Sequence, residues 1–310
     1  MGKIPELDFS LWLNSETKEE FVRQLGNALS EIGFFSLANH GISQDLIDRT
    51  YGLGAEFFAL DVESKRKYKL PEIAHQRGWT PFGTEHAKDS NIPDLKEFWQ
   101  TGRQVKPDST YPENVWPDQE VPQFKSTFEE LYNSMESLSV ELLQAASIYL
   151  GMESNWLSEM SEDGNTIMRL IHYPPTEGAK PGAVRSAQHE DINFITLLVG
   201  STASGLQVLD NENQWHDVEA GSDKIIVDSG DMIQNLTNGI FKSTTHRVVN
   251  PDDSTSSRYS MPMFVHPRND VDLTPRQKFV KMTSGKAEYE SITAGEFLHQ
   301  RLVEIGLVEE

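Results

Sequence analysis

Ser186–Phe194 reads SAQHEDINF, and the chain runs on directly into the apolar stretch ITLLVG at 195–200. An imidazole, His189, and a carboxylate, Asp191, therefore sit together at the head of a predicted strand. Residues i and i+2 of a strand leave from the same face, so these two project together while Glu190 points away. Two ligands on one face need a third from elsewhere. Among the nine histidines, His246 in FKSTTHRVVN answers best, because it opens another predicted strand after the turn-like LTNG.

Two imidazoles and one carboxylate form the facial set that non-haem Fe(II) oxygenases use, with open positions left for co-substrate and O2. Taken alone, an H-x-D pair also fits a hydrogen-bonded surface pair. A zincin site is excluded, since HEDIN places Asn193 where H-E-x-x-H requires its second histidine. Cysteine is absent, so any metal is held by histidine and carboxylate, with no thiolate site and no disulfide framework.

The surroundings of these residues are short β-type runs: TIMRLIHYP, NFITLLVG, GLQVLD, QWHDVEA, KIIVDSG, DMIQNLT, HRVVN and RYSMPMFVHP. Many short strands at this spacing predict an antiparallel barrel or jelly roll. Before them the chain is helical. TKEEFVRQLGNALSEIGF carries Phe21, Leu25, Leu29 and Ile32 at helical spacing and stops at Gly33. A second amphipathic helix, with Ser43 as its expected cap, runs through SQDLIDRTYGLGAEFFAL, and a long one places Phe124, Phe128, Leu131, Met135, Leu138 and Leu142 on one face. GLGAEF lacks the third glycine of a dinucleotide loop and lies inside a helical pattern. Residues 74–121 read as one long irregular segment, expected to wall the substrate entrance with Trp79 or Phe82 near the pocket. ITAGEFLHQRLVEI is a terminal helix.

A formal charge of -21 in 310 residues disfavours nucleic acid or an anionic membrane as partner, because neither can be bound through phosphates that the protein repels. No run approaches the roughly 20 apolar residues of a membrane span, and the start, MGKIPELDFS, lacks a signal-peptide layout, so a cytoplasmic protein is expected. A small anionic ligand then needs a cation aimed at it. Arg258 and Ser260 supply a guanidinium fork and a hydroxyl at i and i+2, on one strand face shortly after His246.

In these residues and their flanks the chain resembles the isopenicillin N synthase-like Fe(II)/2-oxoglutarate-dependent oxygenases over nearly its whole length. IPELDFS, EIGFFSLANHGIS, AEFFAL and SKRKY look like that family's N-terminal region. HYPP, HEDINFITLLVG, GLQVLD, GDMIQNLTNGIFKSTTHRVV and RYSMPMFVHP look like its catalytic jelly roll, in the expected order. The resemblance implies a mainly β fold with flanking α-helices around a double-stranded β-helix. It divides the chain into an N-terminal region at 1–120, a supporting helix at 121–165, the catalytic jelly roll at 166–270 and a C-terminal helical region at 271–310, all in one compact unit.

It also implies that His189, Asp191 and His246 bind iron and that Arg258 and Ser260 hold the distal carboxylate of 2-oxoglutarate, with Tyr173 in contact. The expected reaction is oxidation, by default hydroxylation, of a small organic substrate, with O2 consumed and succinate and CO2 formed. A halogenase would need a small residue in place of Asp191. Plant members usually carry Asn where this chain has Ile171, which suggests a bacterial-type member. Three alternatives remain open: an oxidase that uses no 2-oxoglutarate, as isopenicillin N synthase itself does, a zinc hydrolase, and a non-catalytic jelly-roll binding module. His40 reads as structural, while His172, His216 and His266 are expected in packing or surface roles. The substrate pocket is expected to draw on 74–121, the terminal helix and Phe264.

Overall fold

The computed structural model describes residues 4–84, 94–105, 109–177, 183–210, 212–218, 221–250 and 255–304. Its first half runs β1 (Glu6–Asp8), α1 (Ser10–Leu13), α2 (Lys18–Glu31), β2 (Phe34–Ala38), α3 (Gln44–Phe58), α4 (Val62–Arg66), β3 (Gly78–Thr80), β4 (Glu97–Gly102), α5 (Phe124–Tyr149) and α6 (Trp156–Ser161). The second half runs β5 (Ile167–Tyr173), β6 (Ser186–His189), β7 (Ile195–Val199), β8 (Leu206–Leu209), β9 (Trp215–Asp217), β10 (Ile225–Ser229), α7 (Asp231–Leu236), β11 (His246–Val248), β12 (Arg258–Val265), α8 (Gln277–Met282) and α9 (Ala294–Glu304).

The strands form two sheets. The major one has the order β1-β2-β10-β7-β12-β5-β4-β3, and the minor one β6-β11-β8-β9. The jump from β6 in one sheet to β7 in the other, and back to β8, is the crossing pattern of a jelly roll. Phe34, Ile226, Leu206, Val208 and Val248 fill the space between the sheets at one end. The opposite face of the major sheet is covered by helices. Leu131, Met135, Leu138 and Leu142 of α5 are buried with Leu170, Leu197, Val199, Met261 and Met263 of the strands. Each such side chain contributes roughly 1.5–3 kcal/mol by leaving water, so the predicted apolar stripe of α5 is what fixes the sheet's back wall.

Gly33 ends α2 in the left-handed region at φ +77, and a Cβ there would lie 2.3 Å from the Lys242 carbonyl oxygen. Ser43 occupies the N-cap position of α3 but makes no side-chain cap bond. Among the described residues no helix is long and apolar enough to cross a membrane.

Three expectations need correction. The segment 74–121 is not wholly irregular: β3 and β4 pair antiparallel, with Trp79 opposite Trp99, and β4 pairs with β5. Polar residues hid this strand, because Glu97 and Gln100 are buried rather than exposed. DMIQNLT is not a strand but α7. Its leading amides find partners across the chain: Gly230 N donates to Phe194 O at 3.0 Å, Asp231 N to Asp191 O at 2.7 Å and Met232 N to Ile192 O at 3.0 Å. Those are donors that a helix start leaves unsatisfied within itself. Finally, His189 closes β6, and Asp191 lies in the link that carries the chain to β7, so the pair does not head one strand.

Candidate metal and co-substrate site

His189 and His246 are opposite each other in the β6–β11 pairing. Directly opposed residues of an antiparallel pair share a face, and the two rings stand 4.4 Å apart between centroids. Each ring is fixed by its own backbone: His189 Nδ1 lies 2.8 Å from the Ala187 carbonyl oxygen and His246 Nδ1 lies 3.1 Å from that of Thr244. Donation from Nδ1–H leaves both Nε2 atoms as lone-pair donors, the tautomer a metal requires. Both Nε2 atoms converge on Asp191 Oδ1, at 3.9 Å from His189 and 3.7 Å from His246. Among the described residues this is the one group of three or more His, Asp or Glu side chains whose ligand atoms all lie within 4.8 Å of one another.

Asp191 is held from both ends. Its backbone carbonyl accepts from Asp231 N, and its Oδ2 accepts the Thr196 hydroxyl, which itself receives Asn193 Nδ2 at 3.1 Å. Asp228 stands behind it. Burial first, and then the charge of Asp191, hold the Asp228 carboxyl well above the ordinary carboxylate range, which favours a protonated Asp228 donating to Asp191. Burial and then His189 push His246 down to about 4, so its imidazole is neutral near pH 7 and ready to ligate. Sequence reasoning misses Thr196 and Asp228, since neither belongs to a spacing pattern. The only hint is two polar residues inside the otherwise apolar runs of β7 and β10.

Arg258, Ser260 and Tyr173 meet on the barrel side of the major sheet. Arg258 is opposite Tyr173 in the β12–β5 pairing and Ser260 is opposite Ile171. Arg258 is 1% exposed; its Nε donates to the Ala203 carbonyl at 3.1 Å, its Cζ lies 5.0 Å from the Tyr173 ring centroid, and its Nη1 is buried without a partner. A buried guanidinium with an unused donor is the local cation an anionic ligand requires. The donor sets therefore fit both groups the sequence implied, a divalent iron at two imidazoles and a carboxylate, and a carboxylate-bearing co-substrate at the arginine.

A cavity of about 710 Å³ opens over His189 and Asp191, lined also by Arg169, Gln100, Phe264 and His266. The terminal helix α9 contributes Leu298 and Arg301. Residues 74–121 reach it through Ala74, Gln76, Asp94, Lys96 and Gln100, not through Trp79 or Phe82. Trp79 is buried, with its Nε1 donating to Glu97 at 2.9 Å, and Phe82 is half-exposed. The reason is strand parity: Glu97 and Trp99 face the helices, whereas Lys96, Phe98 and Gln100 alternate with them and face the barrel. The stretches 85–93 and 106–108 of that segment lie outside the described residues.

The remaining histidines separate by environment. His40 Nε2 lies 3.1 Å from the Asp223 carbonyl oxygen, and its Nδ1 accepts Ile42 N at 3.2 Å across the turn at Gly41. His172 forms a three-ring cluster with Phe58 and Tyr259 and binds Glu97, while His216 pairs with Asp210 at 2.7 Å. His266 packs too, with Nδ1 3.2 Å from the Phe264 carbonyl, but it also lines the cavity.

Two imidazoles and one carboxylate converge inside a double-stranded β-helix, with a buried arginine on the facing sheet, a donor set that fits one divalent metal ion of the kind non-haem oxygenases use. The comparisons with known proteins agree. A model of the 2OG-Fe(II) oxygenase superfamily matches residues 164–267, and one of the non-haem dioxygenase in morphine synthesis N-terminal region matches residues 4–119. Proline hydroxylase buaE of Petromyces alliaceus is 30% identical, over 97% of this chain and 99% of its own. Among solved structures, a protein of the 2OG-Fe(II) oxygenase family from Caulobacter crescentus is 38% identical with a TM-score of 0.87, covering 98% of this chain and all (100%) of that one. A full-length Neurospora crassa protein solved in complex with α-KG and thymine is 29% identical with a TM-score of 0.85, over 97% and 96% of the two chains. The chain belongs to the 2OG-Fe(II) oxygenase superfamily. It is an Fe(II)- and 2-oxoglutarate-dependent dioxygenase with O2 as its further co-substrate, and a small-molecule substrate fits that family.

Proposed function

We propose that His189, Asp191 and His246 hold the Fe(II), that Arg258 with Ser260 and Tyr173 holds the far carboxylate of 2-oxoglutarate, and that the reaction hydroxylates a small polar molecule. The observation that carries the assignment is the convergence of two backbone-locked Nε2 atoms on one oxygen of Asp191. When bound, Fe(II) supplies the O2-dependent decarboxylation of 2-oxoglutarate to succinate and CO2 and the oxidation of a substrate C–H bond. The chain's own part is orientation. Thr196 and Asp228 aim Asp191, the Ala187 and Thr244 carbonyls set both imidazoles, and Arg258 fixes the co-substrate's other end.

The polarity of the substrate is supported by the cavity wall. Arg169 lies 4.1 Å from the Phe98 ring centroid and 5.4 Å from that of Phe264, with its Nε donating to Gln100 at 3.2 Å. Asn165 and Gln76 also line the cavity. The charge of -21 supports a small molecule rather than nucleic acid or a membrane surface as partner. The reading includes a cytoplasmic setting, where ferrous iron and 2-oxoglutarate are both at hand. It also treats the chain as one folding unit with the four segments 1–120, 121–165, 166–270 and 271–310, supported by the four strands that residues before 120 add to the major sheet.

The test is anaerobic titration of the Fe(II) protein with 2-oxoglutarate, following the metal-to-ligand charge-transfer band. Arg258→Gln should weaken 2-oxoglutarate binding about 30-fold to 1000-fold, from roughly 2–4 kcal/mol for a charge-assisted bidentate contact, with Fe(II) affinity near normal. Unchanged 2-oxoglutarate affinity in that variant would remove Arg258 from the co-substrate site. Retained Fe(II) binding in His189→Ala, Asp191→Ala or His246→Ala would remove that residue from the ligand set.

A further inference from the structure

Arg185 is the largest unexplained charge in the barrel. It is fully buried, at 0% exposure. Its Nη2 donates to the Ser256 carbonyl at 2.6 Å, but its Nε and Nη1 are buried with no partner. Its backbone is tied down as well, since Arg185 N donates to Asn250 Oδ1 at 3.0 Å. A pinned backbone and one anchored nitrogen leave the rest of the guanidinium fork presented in a fixed direction.

Arg185 immediately precedes β6, the edge strand of the minor sheet, whose pairing with β11 shifts register between Ser186 and His189. Arg258 shares its side of β12 with Ser260 and with the cavity-lining Phe264. The two arginines therefore stand at the starts of strands that belong to different sheets. Ser256, whose carbonyl anchors Arg185, lies two residues ahead of Arg258. Burial and then the charge of Arg258 hold Arg185 below its ordinary pKa, which places the two cations within electrostatic reach of each other.

Arg185 Nε and Nη1 and Arg258 Nη1 are thus three buried donors without partners, and among the described residues no carboxylate pairs with either side chain. Two buried like charges with unused donors are costly unless an anion lies between them. A carboxylate has two oxygens and about four lone-pair directions, enough to engage both forks.

We propose that Arg185 is the second half of the co-substrate clamp, facing Arg258 across the far carboxylate of 2-oxoglutarate. The proposal rests on the assignment of Arg258 above, and extends it: selection of a 2-oxo diacid over a 2-oxo monoacid is shared by two arginines from two sheets. No bond is made or broken by Arg185; it binds and orients.

The experiment compares the parent, Arg185→Gln, Arg185→Met, Arg185→Lys and Arg258→Gln as Fe(II) proteins under anaerobic conditions. Each is titrated with 2-oxoglutarate and with 2-oxovalerate, which keeps the chelating 2-oxo acid and lacks the far carboxylate. The Gln and Met variants should bind 2-oxoglutarate about 10-fold to 100-fold more weakly, and 2-oxovalerate within about twofold of the parent. Lys should recover part of the loss, because it restores charge without the fork. Melting temperatures without ligand should hold or rise in Arg185→Met, since an uncompensated buried charge has been removed.

Equal weakening toward both acids, a lower ligand-free melting temperature or a variant that fails to fold would assign Arg185 to anchoring the Ser256 segment and overturn the proposal. Normal 2-oxoglutarate affinity in the Arg185 variants beside a strong loss in Arg258→Gln would overturn it while leaving the Arg258 assignment standing. No loss in Arg258→Gln would instead count against that assignment.

Discussion

Replacing Thr196 by valine isolates the support of the metal site from its ligands. Thr196 is 3% exposed, and its hydroxyl donates to Asp191 Oδ2 while accepting Asn193 Nδ2 at 3.1 Å. Valine fills nearly the same volume, so the change removes one hydrogen-bonding group and creates little cavity. Asn193 keeps its 2.6 Å bond to the Ile195 carbonyl, so its amide is not left bare. The loss is then mainly one charge-assisted bond onto a buried carboxylate, roughly 1.5–3 kcal/mol. Part of this falls on metal binding, because an untethered Asp191 must be reoriented as it ligates; loss of such a supporting contact lowers metal affinity by about 10-fold to 100-fold. Anaerobic Fe(II) titration, checked with Mn(II) by electron paramagnetic resonance, measures the affinity directly, and Thr196→Ser should recover most of it. Far-carboxylate binding should be unaffected once metal is saturating, since Arg258 lies on a different strand. A folded Thr196→Val protein with metal affinity within twofold of the parent would refute the reasoning.

Three further expectations test other parts of the structure. A Cβ at Gly230 would lie 2.4 Å from the Asn193 carbonyl oxygen and 2.7 Å from that of Asp191, so Gly230→Ala should cost about 1–3 kcal/mol of stability by displacing the metal-site link; an unchanged urea midpoint would contradict this. Glu97 accepts from Lys65 at 3.0 Å, His172 at 2.9 Å and Trp79 at 2.9 Å, and Glu97→Gln should lower stability by roughly 3–5 kcal/mol by stranding the buried Lys65 charge, without changing Fe(II) affinity; denaturation within about 0.5 kcal/mol of the parent would sink it. Burial pushes His266 from 6.5 down to about 4. The unfolded chain therefore binds the extra proton between those values, so this contribution to stability is complete above about pH 6.5 and falls by up to about 3 kcal/mol toward pH 4. His266→Asn should flatten the stability profile in that window, as urea denaturation at stepped pH will show.

The parts of this molecule that were legible in its sequence are those governed by period. The α5 stripe from Phe124 to Leu142 and the same-face pair Arg258 and Ser260 both follow from side-chain geometry within one element. The site's supporting contacts run between elements, and no period encodes them. Asp191 meets the imidazoles not because it shares a strand with His189 but because the link after β6 is pinned to the amides of Gly230, Asp231 and Met232. The same contacts turned DMIQNLT into a helix, although Met232, Ile233 and Leu236 fit either reading. Glu97 concealed β4 for a related reason: a carboxylate reads as exposed until Lys65, Trp79 and His172 are seen around it.

Charge shows most clearly why composition and site point in different directions. With 48 acidic side chains against 27 basic ones, the exterior repels a dianion. Yet Arg185 and Arg258 are among the largest fully buried side chains, and both keep unused donors. Under the proposed assignment the dicarboxylate joins two regions that are each uncompensated alone, one end at the metal beside Asp191 and the other at the arginines. Neither the metal nor the diacid meets its full complement of charge until the other is present. Their binding should therefore be mutually reinforcing, since by linkage whatever 2-oxoglutarate gains from bound metal the metal gains equally from 2-oxoglutarate. A surface that repels free anions and an interior that lacks one are compatible because the favourable contacts are confined to a single buried position.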